Sequence, residues 1–183
     1  MSASSSVIRH IVCSGGGVTG FSFYGMLREC HNRKLWKLED IETIYGTSVG
    51  SIIAVILALD YDWDTLDDYL IKRPWNNVFK FNLYSIIDSL QQRGIFGMKT
   101  IEDTFVPLFS GKDISIDITM QDFYDITKKE IHIFTTDVMR FEVVDISYKT
   151  HPDWRLVDAV YASSAIPIIF SPFIKNSKCY CDG

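Results

Sequence analysis

A chain of 183 residues, 47% hydrophobic and 22% charged, has apolar material enough for one folded domain with its own core, which excludes a disordered or fibrous protein. Its formal net charge of −5, with no run of lysines and arginines, argues against nucleic acid as a partner. The same charge gives no electrostatic pull towards an anionic membrane, so any membrane contact has to be hydrophobic.

Met1 to Ser6 read as a polar tail ahead of a domain over 7–183. The tail has no basic-then-apolar leader, and the apolar run Val49 to Leu59 is far short of the ~20 residues that span a bilayer. The expectation is a soluble, cytoplasmic protein whose membrane contact is peripheral. Cys13 and Cys30 fall in elements that read as core, and Cys179 and Cys181 lie two apart on one face of a strand. A chain of this size has no need of a disulfide framework, and Cys-x-Cys without a second pair lacks the spacing of a zinc site.

In chain order, Val7 to Cys13 is a mostly apolar strand that ends in Ser14-Gly15-Gly16-Gly17-Val18-Thr19-Gly20. A helix follows, with Phe23, Met26, Leu27 and Cys30 at helical spacing and Arg28, Glu29, Asn32 and Arg33 on its other side. The glycine loop has three readings. A dinucleotide fingerprint needs an acid at the end of the next strand, whereas Glu39 and Asp40 precede that strand. A P-loop needs Gly-Lys-Ser/Thr, and the chain has Gly20-Phe21-Ser22. The third reading is an oxyanion hole, in which uncovered glycine N–H groups converge on a developing negative charge. Against all three stands an ordinary glycine turn for close helix packing.

The next strand, from Ile44, runs into Gly46-Thr47-Ser48-Val49-Gly50, a G-x-S-x-G turn in which small residues let the backbone fold tightly and hold the Ser48 hydroxyl out at a helix N-terminus. The helix behind it, Ser51 to Leu59, is apolar on every face and is expected to be packed on all sides. Two strand–turn–helix units in succession predict a parallel sheet covered by helices.

Asp62 to Asp68 supplies N-caps and first-turn acids for a helix to Lys72, closed by Pro74. Two amphipathic helices are expected around Leu83 to Gln92 and from Lys99 to Phe109. The aromatics there (Trp75, Phe79, Phe81, Tyr84, Phe96, Phe105) belong to the core or line an acyl pocket. Thr119-x-x-Asp122 opens a helical turn, Glu130 to Thr136 and Arg140 to Ile146 read as antiparallel strands, and Trp154 to Ser164 as a helix capped by Asp153 and ended by Pro167. Lys178 to Gly183 is a strand-like stub.

A serine nucleophile needs a base. His10, His31, His132 and His151 are the histidines; His151 lies in the kind of loop where a triad histidine is found, and Asp182, at a strand end beside Gly183, is the acid that could serve instead.

The ordered set Gly15-Gly16-Gly17-x-x-Gly20, Gly46-Thr47-Ser48-Val49-Gly50-Ser51, Ala162-Ser163-Ser164-Ala165-Ile166-Pro167 and Asp182-Gly183 resembles the patatin-like phospholipases, as does Gly94-Ile95-Phe96 leading into the helix at Lys99. The resemblance covers nearly the whole chain. It implies an α/β, three-layer α/β/α sandwich with a mainly parallel sheet, and a lipid acyl hydrolase of phospholipase A type acting on a lipid at a membrane or micelle surface. Ser48 falls on the family's nucleophile, Asp182 on the aspartate of its Ser-Asp dyad, and Gly15, Gly16 and Gly17 on its oxyanion hole, with Gly20, Gly46, Gly50 and Gly183 in support. No catalytic histidine, metal or cofactor is implied. Thr19 stands where many members carry Arg or Lys, and Ser14 where many carry Asp. Members continue past the Asp-Gly, so the chain reads as truncated just after it, with lowered activity expected of this form. The rival readings are a Ser-His-Asp esterase of α/β-hydrolase type using His151 and a lipid-binding or regulatory module without turnover.

Overall fold

The elements run β1 (His10–Cys13), α1 (Gly20–Asn32), β2 (Thr43–Thr47), α2 (Val49–Ala58), α3 (Trp63–Leu70), β3 (Gly94–Phe96), α4 (Met98–Ser110), α5 (Met120–Thr127), β4 (Glu130–Asp137), β5 (Glu142–Ile146), α6 (Leu156–Ser164), β6 (Ile168–Phe170), β7 (Phe173–Lys175) and β8 (Lys178–Cys181). The computed structural model describes residues 7–79 and 94–183, so the helix expected around Leu83 to Gln92 lies outside the described residues.

Strand β2 pairs in parallel with β1 on one side and with β4 on the other. The chain steps across the sheet in one direction, β1 to β2 to β4, and right-handed crossovers taken in one direction put their helices on one face. Accordingly α2 packs against β1, β2 and β4, and α6 packs against β4, β8 and α2. Ile11, Ile44, Ile131, Ile133 and Ile146 point into that layer and are buried, while Val12, Val143 and Ile174 are exposed. Beyond this parallel centre the sheet turns antiparallel. β5 pairs with β4 over Ile133–Asp137, and β8 meets β4 at Thr136 and Asp137, past the end of β2, with β7 on its outer side. Each of β3, β6 and β7 has three residues, too few to show a periodicity, which is why the sequence did not announce them.

Helix α2 is buried almost throughout, as its sequence requires. Helix α4 carries Pro107, which cannot donate to the carbonyl four residues back; Arg73 Nη2 donates to that Asp103 carbonyl at 2.8 Å instead. The caps at Asp62 and Thr119 accept from Thr65 N and Asp122 N.

Several boundaries and one helix face depart from expectation. The first strand joins the sheet only from His10. The helix expected over Trp154 to Ser164 begins at Leu156 with Arg155, not Asp153, as its N-cap, because the Trp154 carbonyl accepts from Met120 N at 2.8 Å and Thr119 bridges Arg155, which holds this stretch extended. In the hairpin, residues 138–141 form the turn and β5 starts at Glu142. On α1 the most deeply buried side chain is Tyr24, not Met26, since its hydroxyl donates to Asp67 at 2.6 Å while its ring packs on Trp63.

Candidate active site

The turn between β2 and α2 is as tight as the G-x-S-x-G pattern demands. Ser48 has φ 53 and ψ −126, a left-handed backbone that an L-residue adopts only under constraint. The constraint is close packing behind it: a Cβ on Gly50 would stand 2.1 Å from the Cys13 carbonyl oxygen, so only glycine lets α2 start against the end of β1. Ser48 occupies the N-cap of α2, yet its side chain makes no cap hydrogen bond. Ser51 closes the turn instead, its N–H and hydroxyl both donating to the Ser48 carbonyl. The hydroxyl of Ser48 is thereby left for other partners, at the positive end of a buried helix.

Residues from α6 and β4 hold the turn from the far side. Ser48 N–H donates to Ser163 Oγ at 2.8 Å, and Ser163 donates to the Phe134 carbonyl at 2.5 Å. Thr135 Oγ1 contacts the carbonyl oxygens of Ala162 and Cys181, joining β4, α6 and β8. Neither role was foreseen; the signal available was the pair of small hydroxyl residues, Ser163 and Ser164, at the end of a mostly apolar helix.

Asp182 follows β8 directly and its N–H donates to the Ala165 carbonyl at 3.2 Å. Gly183 lies against the Phe134 carbonyl and the Thr47 side chain. The Asp182 carboxyl is raised above its ordinary pKa by burial, an effect opposed by the Ser48 side chain beside it. Its Oδ1 is buried and has no partner among the described residues. The glycine loop closes the third side: a Cβ on Gly15 would come within 3.4 Å of Ser48 Cβ. Gly16 and Gly17 lead into a 3₁₀ turn over Gly17–Thr19, where the Gly16 carbonyl takes both donors of Thr19 and Gly17 sits at φ +54. Among the described residues the N–H groups of Gly15, Gly16 and Gly17 donate to no protein acceptor. So enclosed, Ser48 is only 4% exposed, against the expectation of an open hydroxyl.

None of the four histidines joins this arrangement. His10 is at the start of β1, and His31 accepts from Trp63 Nε1 at 3.0 Å at the end of α1. His132 has Asp145 on Nδ1 and Glu130 on Nε2, and stacks on Tyr45. His151 follows the downward strand β5, and the adjacent Pro152 and Trp154 carbonyls accept from Gln121 and Met120 at the start of α5. Among the described residues no hydrogen bond joins His151 to Ser48 or Asp182; its Nδ1 meets Thr150 Oγ1 at 2.9 Å and its ring packs on Trp154. The cavity lined by His31, Trp36, Asp60 and Lys129 lies at the other end of the sheet from Ser48, where α1 and α2 finish and β4 begins. Burial pushes the Cys13 thiol up to about 11, so it is a core residue and not a reactive one.

Fold and site together define an α/β domain with a strained serine turn facing an aspartate and a glycine loop. The family model described as patatin-like phospholipase matches residues 11–183, and the chain belongs to this family. Among curated proteins it is 29% identical over 175 residues to the "Probable lipid hydrolase 463L" of Invertebrate iridescent virus 6, covering 94% of this chain and 58% of that protein. It is 27% identical to the "Uncharacterized protein R571" of Acanthamoeba polyphaga mimivirus, covering 98% and 59%. The chain therefore spans less than two thirds of either relative's length. Among solved structures, VipD of Legionella pneumophila matches with a TM-score of 0.67 at 16% identity, over 96% of this chain and 45% of that one. ExoU, of Pseudomonas aeruginosa, matches with a TM-score of 0.56 at 17% identity, over 87% and 39%. These likenesses bear out the patatin-like α/β fold.

Proposed function

We propose that the chain is a lipid acyl hydrolase of phospholipase A type, in which Ser48 attacks the ester carbonyl and Asp182 is the base. The observation that carries this reading is a strained, enclosed serine whose hydroxyl is unused by its own helix and lies beside a half-buried carboxyl group raised by desolvation. An aspartate near ~3.9 is a weak base in water; raised by burial, it becomes a better acceptor for a serine proton. The Ser48 oxygen adds to the carbonyl carbon as its proton passes to Asp182. The negative charge that develops on the former carbonyl oxygen meets the N–H groups of Gly16 and Gly17, with Gly15 shaping the loop. Collapse expels the alcohol, which takes the proton from Asp182; water then adds to the acyl carbon as Asp182 accepts its proton, and collapse breaks the bond to Ser48, which takes the proton back from Asp182 as the carboxylic acid leaves.

The partners of His151, Thr150 and Trp154 and not Ser48, weigh against a Ser-His-Asp esterase. The test is labelling by a serine-directed fluorophosphonate, with product analysis on phospholipid, lysophospholipid and glyceride substrates. Labelling lost in Ser48→Ala and retained in His151→Ala, with fatty acid released, is the expected result. A folded protein that takes no label is a binding module and ends the hydrolase reading; loss of rate by orders of magnitude in His151→Ala restores the triad.

A further inference from the structure

Two bulky apolar residues stand in left-handed backbone and point to solvent. Phe141, φ 55, is 87% exposed in the turn between β4 and β5, and Ile168, φ 75, is 79% exposed after α6. Hairpin turns ordinarily place glycine or asparagine at such a position, and a β-branched residue there is an outlier. Neither side chain gains burial in return, so the fold alone does not account for them.

Their location does. Phe134 is level with Thr47, the residue before Ser48, and β4 continues past that level to Asp137, about 10 Å at 3.3 Å per residue, before the turn that carries Met139 and Phe141. Ile168 is three residues from Ala165, whose carbonyl holds Asp182. Val18, in the glycine loop, is 88% exposed and Met139 is 73% exposed. Three separate loops, at the end of the sheet where Ser48 sits, thus present apolar tips to solvent. Arg140, between Met139 and Phe141, makes no ion pair among the described residues.

We propose that Val18, Met139, Phe141 and Ile168 form a rim that inserts into a phospholipid surface and presents the lipid ester to Ser48, with Arg140 on a headgroup phosphate. This deepens the hydrolase reading and rests on it for the use of the surface, though not for binding to it. The occupant is lipid because these tips lie at the Ser48 end of the sheet and are apolar in a chain of net charge −5, where binding has to come from burial of side chains, not from charge.

The test is flotation of Ser48→Ala protein with phosphatidylcholine vesicles, so that no turnover alters the lipid. The comparison is the same protein carrying Phe141→Asn, and Phe141→Asn with Ile168→Asn; asparagine tolerates left-handed backbone, so both fold with an equal or higher thermal midpoint. Partition is expected to fall about tenfold with Phe141→Asn and further with the pair, and to persist at high salt. In Ser48-intact protein the pair should cut hydrolysis of vesicle phospholipid but leave hydrolysis of a short, water-soluble ester unchanged. Equal partition of parent and variants overturns the proposal, as does a lowered midpoint, which would make these residues part of the core. A concentration-dependent dimer abolished by the same substitutions, without vesicle binding, overturns it in favour of contact between copies. Flotation without any ester hydrolysis keeps the rim and rejects the hydrolase.

Discussion

The main-chain N–H of Ser48 donates to Ser163 Oγ at 2.8 Å, and the same hydroxyl donates to the Phe134 carbonyl. Ser163 is fully buried, so its hydroxyl satisfies two groups that no water would reach if it were removed. It joins the end of α6 to the two strands that carry the serine turn and, through Thr135, to the strand before Asp182. On the proposed mechanism Ser163 positions the Ser48 turn.

Ser163→Ala should leave the Ser48 N–H unpaired and destabilise the protein by about 1–3 kcal/mol in urea unfolding. The loss in turnover should be larger than that in KM, because a tilted turn moves the Ser48 hydroxyl more than it alters the lipid contact. Unchanged kcat with lowered stability would reduce Ser163 to a packing residue.

Ser48 itself is held at φ 53 and ψ −126, which glycine adopts freely and alanine does not. Both Ser48→Gly and Ser48→Ala should abolish hydrolysis, with Ser48→Gly more stable than Ser48→Ala by about 1–3 kcal/mol. Thermal unfolding of the two variants side by side measures this. Equal midpoints would mean that the turn is relaxed in solution.

Asp182→Asn should be nearly inactive and folded. Burial raises the Asp182 carboxyl, so the native state holds its proton more tightly than the unfolded chain does. The stability this contributes is complete below the unfolded pKa and is lost as pH rises through the folded one. Asparagine carries no such charge, so the variant should melt higher than the parent at neutral pH, with the gap closing in acid. In the parent, activity should fall as pH drops through the raised pKa. A variant that melts lower at neutral pH and draws level in acid would show that the carboxylate is stabilised in place.

Two glycines in the site separate folding from chemistry. Gly50→Ala puts a methyl group 2.1 Å from the Cys13 carbonyl oxygen and should cost about 3 kcal/mol or more, or prevent folding. At Gly17 no atom lies within 4 Å of the added methyl, and only its φ of +54 is penalised, by about 1–2 kcal/mol. Gly17→Ala should therefore fold, bind substrate nearly as well and turn over far more slowly, which Michaelis–Menten analysis separates from a folding defect. Parallel losses in binding and turnover would argue against an oxyanion role for the loop.

Local pattern was enough for the serine turn, the buried α2, the caps at Asp62 and Thr119 and the β4–β5 hairpin, because each depends on residues only a few positions apart whose spacing shows in the chain itself. Asp182 stood out in the sequence as an acid at a strand end and was matched to the family's aspartate through the resemblance; that it lies beside Ser48 depends on the sheet, which brings the ends of β2 and β8 together. His151 looked as eligible as Asp182 in the sequence; in the fold its ring meets Thr150 and Trp154, while Asp182 is carried by β8 to the serine turn. Ser163 showed in the sequence only as one of two hydroxyls at a helix end, because the role of a buried hydroxyl is specified by the groups it bridges, and the Ser48 N–H and Phe134 carbonyl meet it only once α6 has packed against β4. Tertiary packing decides which polar groups are brought together away from solvent, and in this protein that is what sets the Ser48 turn beside Asp182.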